Sequence, residues 1–252
     1  MKLLTFKGGV HPQYNKEYSE KKAIEKVESP KVVYIPLQQH IGAPAKAIVK
    51  VGEKVKLGQK IGEQQGFVSC NVHSSVSGKV IGIEEHELPG GRGMCIIIEN
   101  DFKDEVHESV IPNEDIENLT KEEIVNIVKE AGIVGMGGAG FPTGVKLNIN
   151  LAETPMGEIN PEINPELPKD FSIDCGYILI NAAECEPILS HNIARIENRP
   201  EQLIRGLEIA MDVVKADKGV IAIKECYEKA VDILARYVQE TNKNITLHAL
   251  PD

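Results

Sequence analysis

Several kinds of functional site are missing from this sequence. Its five cysteines include no C-x-x-C pair, which predicts that the chain itself holds no iron–sulfur or zinc ligand cluster. Their odd number, without a regular framework, indicates a reducing compartment. There is no run of about 18 apolar residues, so the chain is predicted not to span a membrane by itself. The net charge of -10 leaves no basic surface for nucleic acid or anionic lipid.

Two common catalytic patterns are also missing. A Walker loop needs Gly-Lys-Ser/Thr, whereas the chain has Gly144-Val145-Lys146-Leu147, so a nucleoside triphosphate hydrolase is not predicted. No Ser/His/Asp or Cys/His set occurs at a recognisable spacing. We therefore predict no catalytic acid, base or nucleophile and no metal ligand.

The chain is organised around a glycine-rich stretch at residues 132–146, here called the glycine loop. Six of its fifteen residues are glycine, in the sequence Gly-Ile-Val-Gly-Met-Gly-Gly-Ala-Gly-Phe-Pro-Thr-Gly-Val-Lys. Such density is useful where the main chain turns through positive φ or lies against a ligand. Successive N–H groups form an anion-binding concavity, to which Lys146 adds a positive charge. A flexible linker is the alternative, but linkers lack the apolar residues interleaved here, so a phosphate cradle is favoured.

Two motifs carry a resemblance to a known family. Residues 135–146 resemble the flavin- and NADH-binding loop of the respiratory complex I 51 kDa subunit, G-R-G-G-A-G-F-P-T-G-x-K, with Met136 in place of the arginine. Residues 181–187, here called the Asn-Glu segment, resemble that family's N-A-D-E-x-E-P, with Ala183 in place of the aspartate. Within this superfamily the chain is most similar to the C subunit of the Rnf electron transport complex, because its N-terminal part also fits, at residues 6–12, 36–44 and 72–78.

The resemblance implies a set of cofactor-binding residues: Gly135, Gly137, Gly138, Gly140, Phe141, Lys146, Asn181, Glu184 and Glu186. The glycine backbone would approach the flavin and nicotinamide nucleotides, with Lys146 near the flavin phosphate. Phe141 would pack against the adenine of NADH, although an ordinary core phenylalanine is the alternative. Asn181 would hydrogen-bond the flavin, and Glu186 would line the nicotinamide side. Glu184 matches the motif too, but a carboxylate beside a helix start also serves to complement the helix dipole.

The implied function is that of an electron-transfer subunit in an Rnf-type ferredoxin:NAD oxidoreductase. It would bind FMN and NAD(H) and pass electrons to iron–sulfur centres outside this chain. Partners would be other subunits of a membrane-bound electron transport complex, with ferredoxin-like carriers involved indirectly. The location would be cytoplasmic, or peripheral on the cytoplasmic face of the membrane through those partners. Two alternatives stay open: a non-catalytic assembly or docking subunit, and the electron-feeding subunit of a soluble amino-acid reductase.

The predicted organisation is an N-terminal arm at 1–30, a β domain at 31–100, a linker at 101–119 and an α/β domain at 120–252. The family continues with two 4Fe–4S motifs, so this chain is expected to be its N-terminal part, natural or cut. The β domain resembles a biotinyl/lipoyl-type barrel-sandwich hybrid. No lysine lies between Lys60 and Lys79, which favours a docking or spacer role over a swinging arm. Apolar runs predict its strands, including one at 67–68 and a half-buried strand pair over 51–62.

Local signals organise the α/β domain. Thr120 and Glu123 predict a capping box, and Gly132 predicts the end of the helix that precedes the glycine loop. An apolar strand at 177–180 would deliver the Asn-Glu segment to the crevice where open α/β sheets bind ligands. Two helices at 201–214 and 225–239 alternate with strands at 220–223 and 245–250, which predicts a doubly wound, Rossmann-like sheet. Residues 148–171 have little periodicity and are interpreted as an insertion.

Overall fold

The chain forms two compact units. A computed structural model describes residues 13–113, 115–135, 139–151 and 176–251. One unit, here called the β unit, comprises Val27–Ile149, and the other, the α/β unit, combines Met1–Lys26 with Asn150–Asp252. The glycine loop and the helix before it thus group with the β strands, and the N-terminal arm groups with the parallel strands. Gly137, Gly138 and residues 152–171 of the predicted insertion lie outside the described residues.

The β unit contains two antiparallel sheets. Its strands are β1 (Val32–Pro36), β2 (Lys46–Ala47), β3 (Lys54–Val55), β4 (Lys60–Glu63), β5 (Val72–His73), β6 (Gly78–Leu88) and β7 (Gly91–Asn100). A four-stranded sheet has the order β1-β7-β6-β3, and a three-stranded sheet has the order β2-β4-β5. Both sheets contribute to one apolar core, in which Ile61, Val80, Ile96 and Ile98 are completely buried. Each of these side chains stabilises the fold by about 1.5–3 kcal/mol relative to an exposed position.

Two strand predictions in the β unit are wrong. Residues 67–68 form a bend rather than a strand, and Phe67 is 76% exposed. The reason is a tight crossing of two turns, since Gly42 has φ +102° and lies so close to the Val68 carbonyl that a Cβ would be 2.2 Å from it. The strands within 51–62 do not pair with each other, because β3 pairs with β6 while β4 pairs with β2 and β5.

Helix α1 (Lys121–Glu130) begins and ends as the sequence predicts. Thr120 Oγ1 accepts the Glu123 N–H at 3.3 Å, and the Glu123 carboxylate accepts the Thr120 N–H at 2.8 Å, which completes the capping box. These bonds lower the pKa of the Glu123 carboxyl, because they favour its charged form. Gly132 follows the helix with φ +68°, and its N–H donates to the Lys129 carbonyl at 3.1 Å. This left-handed stop turns the chain directly into the glycine loop.

In its described residues, the α/β unit is built on three parallel strands. Its elements are β8 (Tyr177–Asn181), α3 (His191–Asn198), α4 (Pro200–Val214), β9 (Lys218–Lys224), α5 (Glu228–Glu240) and β10 (Ile245–Leu250). The sheet order is β10-β9-β8, so the chain moves across the sheet in one direction. Right-handed crossovers then place the connecting helices on one face, where Ile221, Ile223 and Leu234 are completely buried. The second helical layer of a doubly wound sheet does not occur among the described residues.

The N-terminal arm is more than an extended segment. It contains a 3₁₀ helix, Lys16–Tyr18, in which Lys16 is only 8% exposed. Within the part of the chain that the structure describes, no helix has both the length and the apolar character needed to cross a membrane.

Candidate functional site

The stem of the glycine loop is a short antiparallel pairing. Val134 pairs with Pro142, and the Gly135 N–H donates to the Phe141 carbonyl at 2.9 Å. The Thr143 N–H donates to the Ile133 carbonyl at 3.0 Å, which closes the base of the stem. The chain then enters the single-turn helix α2 (Thr143–Lys146). The two ends of the loop are therefore fixed to each other, and Lys146 lies just beyond the returning strand.

Lys146 supplies an available positive charge beside this stem. Its side chain is exposed, and a Cβ on Gly135 would lie 3.3 Å from Nζ. Nζ also lies 5.9 Å from the centre of the half-buried Phe141 ring, within the range of a cation–π contact. Among the described residues, no carboxylate pairs with this ammonium. The predicted residues Gly135, Phe141 and Lys146 are thus brought together, with a cation open to an anionic ligand.

The remaining described part of the loop rests on a turn of the β unit at residues 39–41. The Ile41 N–H donates to the Ala139 carbonyl at 2.8 Å. Gly140 has φ +59°, and a Cβ there would lie 2.8 Å from the Gln39 carbonyl oxygen. Gly140 is therefore required by close packing against protein backbone as well as by its left-handed conformation.

His40 holds that turn in place. Its side chain is buried, and Nε2 accepts the Cys70 N–H at 3.0 Å. Because Nε2 is an acceptor, Nδ1 carries the proton, and it lies 2.9 Å from the Ile41 carbonyl oxygen. Sequence reasoning quoted His40 only as part of a family motif and missed this role. The sequence shows a histidine two residues before a glycine, but this does not indicate that the histidine binds the Cys70 N–H.

A pocket of about 240 Å³ lies beside the start of the glycine loop. It is lined by residues of segments 39–40, 70–73 and 131–134, all within the β unit. Burial raises the pKa of the Cys70 thiol and lowers the pKa of His73. Both shifts favour the uncharged form, so these two groups line the pocket as neutral side chains.

The Asn-Glu segment follows β8 in the α/β unit, as predicted. Asn181 and Glu186 are both exposed. The Asn181 Oδ1 accepts the Ala183 N–H at 3.0 Å, which fixes the side chain, and among the described residues the amide nitrogen has no acceptor. The Glu186 carboxylate has a weak contact with Cys185 Sγ at 4.0 Å. Both side chains therefore present polar groups that a cofactor can contact.

Glu184 has a different environment from Glu186. It is 2% exposed, and its carboxylate accepts hydrogen bonds from the N–H groups of Asn192 and Ile193 at 3.2 and 3.3 Å. The Asn192 side-chain amide adds a third bond at 3.0 Å, and His191 Nδ1 lies 3.4 Å away. Ser190 precedes α3 without capping it, so Glu184 supplies the missing cap from a distance in sequence. Of the two roles open to this residue, the structure shows the contact with the helix start.

Metal ligands do not cluster in the described part of the chain. Across residues 13–113, 115–135, 139–151 and 176–251, no group of three or more His, Cys, Asp or Glu side chains could hold a metal ion.

Comparisons with known proteins match both parts of the chain. A family model described as RnfC Barrel sandwich hybrid domain matches residues 4–103, and one described as Nuo51 FMN-binding domain matches residues 128–252. The C subunit of the Na(+)-translocating ferredoxin:NAD(+) oxidoreductase complex of Acetobacterium woodii is 40% identical over 235 residues, which are 93% of this chain and 48% of that protein.

Two further relatives have similar names. The C subunit of the proton-translocating ferredoxin:NAD(+) oxidoreductase complex of Clostridium ljungdahlii is 36% identical over 96% of this chain and 49% of its own length. The C subunit of the ion-translocating oxidoreductase complex of Vibrio cholerae is 31% identical over 99% of this chain and 30% of its own length. The chain spans about half the length of the first two relatives. These matches confirm the predicted fold class, and over the length it covers the chain belongs to the family of Rnf complex C subunits, with a barrel sandwich hybrid domain followed by a Nuo51 FMN-binding domain.

Proposed function

We propose that this chain binds FMN and NAD(H) and serves as an electron-transfer subunit of an Rnf-type ferredoxin:NAD oxidoreductase. The observation that carries the proposal is the Lys146 ammonium beside the glycine-loop backbone, which has no carboxylate partner among the described residues and lies within a domain that matches an FMN-binding family. A phosphate group matches this site, because it accepts a charge-assisted hydrogen bond from lysine.

The described residues fit such a cofactor in several ways. Lys146 would hold the phosphate of FMN. The stem formed by Gly135 and Phe141 would keep the two ends of the loop together. Asn181 and Glu186 are proposed as further cofactor-binding residues, since each has an exposed polar group without a charged partner among the described residues. Glu184 would contribute by fixing the start of α3. Bound flavin supplies the hydride and electron chemistry, and the chain supplies binding and orientation.

The wider role is proposed from the relatives. Their names describe subunits of ferredoxin:NAD(+) oxidoreductase complexes, so we propose that NADH is the hydride donor or product. The iron–sulfur centres would lie outside these 252 residues, in the further part that the family has or in partner subunits. Contact with those subunits would place the chain at the cytoplasmic face of a membrane. These names favour the Rnf-type role over a soluble amino-acid reductase.

The test is an FMN titration of the purified chain, followed by NADH addition without oxygen. We expect saturable quenching of flavin fluorescence and bleaching of the bound flavin by NADH. Lys146→Gln should weaken FMN binding at least about tenfold, because a hydrogen bond to a charged group contributes about 1.5–3 kcal/mol. The matched control is Lys103→Gln, an exposed lysine of the β unit far along the sequence from the loop. A wild-type chain that binds no FMN would overturn the proposal in favour of an assembly subunit.

A further inference from the structure

A buried lysine of the N-terminal arm contacts the end of the Asn-Glu segment and the residues just after it. The Lys16 ammonium donates to the Glu186 carbonyl at 3.0 Å and to the Leu189 carbonyl at 2.6 Å. It also lies 5.9 Å from the ring centres of both Tyr14 and Tyr227. In the described part of the chain these are its contacts, and none of them is a carboxylate. A buried charge is tolerated only when it is well hydrogen-bonded, so the two carbonyls are the partners that keep Lys16 in place.

Two further residues of the arm bind the same stretch. The Ile188 N–H donates to the Tyr14 carbonyl at 2.7 Å, and the Ser19 hydroxyl donates to the Ile188 carbonyl. Residues 14–19, here called the strap, therefore bind residues 186–189 at four backbone groups. The strap is separated from them by about 170 residues of sequence.

The stretch held by the strap is strained. Ile188 has φ +68°, in the left-handed region that a β-branched residue rarely adopts. It is also 51% exposed, so burial of its side chain does not explain the conformation. Such backbone persists only where the surroundings over-determine it, and it is concentrated at functional sites. The two bonds from Tyr14 and Ser19 provide that constraint, since they hold both backbone polar groups of Ile188.

We propose that Lys16 is a positioning residue for cofactor binding: with Tyr14 and Ser19 it fixes residues 186–189 and thereby the backbone of Glu186. This inference rests on the proposed function, in which Glu186 is a cofactor-binding residue, and on the family resemblance, which implies that it lines the nicotinamide side. Lys16 binds the backbone carbonyl of Glu186. Replacing Lys16 therefore releases the backbone of Glu186, and the Glu186 carboxylate is no longer held in one orientation. Lys146 and the glycine loop belong to the other compact unit and keep their own contacts, so FMN phosphate binding does not depend on the strap.

The test compares Lys16→Met with wild type in the full chain. Methionine keeps an unbranched side chain of similar length and removes the donors. We expect amide hydrogen exchange in a peptide covering residues 186–193 to rise at least about tenfold, as expected for the loss of bonds to a charged group. The dissociation constant for NADH on the FMN-loaded chain should rise by a similar factor, while that for FMN changes less than about twofold. A general loss of stability would affect both ligands.

Two variants complete the design. Lys21→Met, an exposed lysine of the same arm, should match wild type in exchange and in NADH binding. Ser19→Ala removes one bond to Ile188 and should raise exchange in the same peptide even if Lys16→Met fails to fold. Unchanged exchange at 186–193 in both Lys16→Met and Ser19→Ala overturns the strap, and so does equal loss of FMN and NADH binding. If the wild-type chain binds no FMN, only the proposed function is overturned. Amide hydrogen exchange at residues 186–193 still shows whether the strap holds them.

Discussion

The Ile41 N–H donates to the Ala139 carbonyl over 2.8 Å, which joins a turn of the β unit directly to the glycine loop. Gly140 packs against the same turn at the Gln39 carbonyl. The barrel sandwich hybrid domain therefore braces a candidate cofactor loop within its own compact unit. This contact gives the domain a role in shaping the loop, in addition to the docking or spacer role that its missing lysine suggests.

Replacing His40 should loosen this brace. His40→Ala leaves the buried Cys70 N–H without its acceptor, which costs about 1–3 kcal/mol in the free energy of unfolding. The turn at residues 39–41 also loses its anchor, so FMN binding should weaken beyond what the lower stability explains. Urea unfolding and FMN titration measure the two effects. His248→Ala is the control, because His248 is exposed on β10 and should leave both quantities unchanged.

The two glutamates of the Asn-Glu segment should separate stability from binding. Glu184→Ala removes the buried cap of α3 and should lower the free energy of unfolding by about 2–3 kcal/mol. Glu186→Ala changes an exposed carboxylate and should leave the unfolding free energy within about 0.5 kcal/mol of wild type, while weakening NADH binding. Equal destabilisation by the two substitutions would contradict this division of roles.

The strain at Ile188 should be relieved by a residue that tolerates left-handed backbone. Asparagine adopts this conformation more readily than a β-branched side chain, so Ile188→Asn should raise the free energy of unfolding by about 1 kcal/mol. Chemical denaturation measures the change. Leu189→Asn is the control at the next exposed position, which has no positive φ, and it should give no gain. A loss of stability in Ile188→Asn would show that its side chain contributes more than the backbone costs.

His73 should make stability depend on pH. Burial lowers the pKa of His73 from its ordinary 6.5, and the charge of Lys60 acts in the same direction, while a hydrogen bond to the Glu130 backbone and the Glu130 charge oppose both. Between the folded and unfolded pKa values the unfolded state binds more protons. The free energy of unfolding that depends on neutral His73 is therefore fully present above about pH 6.5, and it is lost as the pH falls through the pKa of His73 in the folded state.

His73→Gln should reduce the drop in unfolding free energy between about pH 7.5 and about pH 5 relative to wild type. His248→Gln, at an exposed site, should keep the wild-type drop. Urea unfolding at the two pH values provides the comparison, and an unchanged drop in His73→Gln would contradict the assignment.

Local signals made part of this structure predictable. The capping box of Thr120 and Glu123 and the stop at Gly132 involve residues three or four positions apart, whose energetics are contained in the sequence itself. The apolar run at 95–98 is typical of a β-strand, and it forms the buried centre of β7. The motif pair identified the family because two patterns in order are far more specific than one.

Long-range contacts were not predictable in this way. Nothing near Lys16 indicates that its ammonium binds carbonyls at residues 186 and 189, since the surrounding arm is polar and lacks periodicity. The pairing partners of β3 and β4 depend on which sheet each strand joins, and alternation alone does not determine that choice. Phe67 and Val68 have strong strand propensity, but the close crossing at Gly42 overrides it.

The α/β unit is assembled from two separated pieces of chain, and this has a consequence for synthesis. The strap leaves the ribosome before residues 186–189, to which it will bind, and Lys16 is separated from Leu189 by 173 residues. The continuous β unit, Val27–Ile149, is complete much earlier and can fold as a unit in the meantime. Closing so long a connection adds an entropic cost that grows only with the logarithm of its length. A segment that is made early is therefore among the last to find its place.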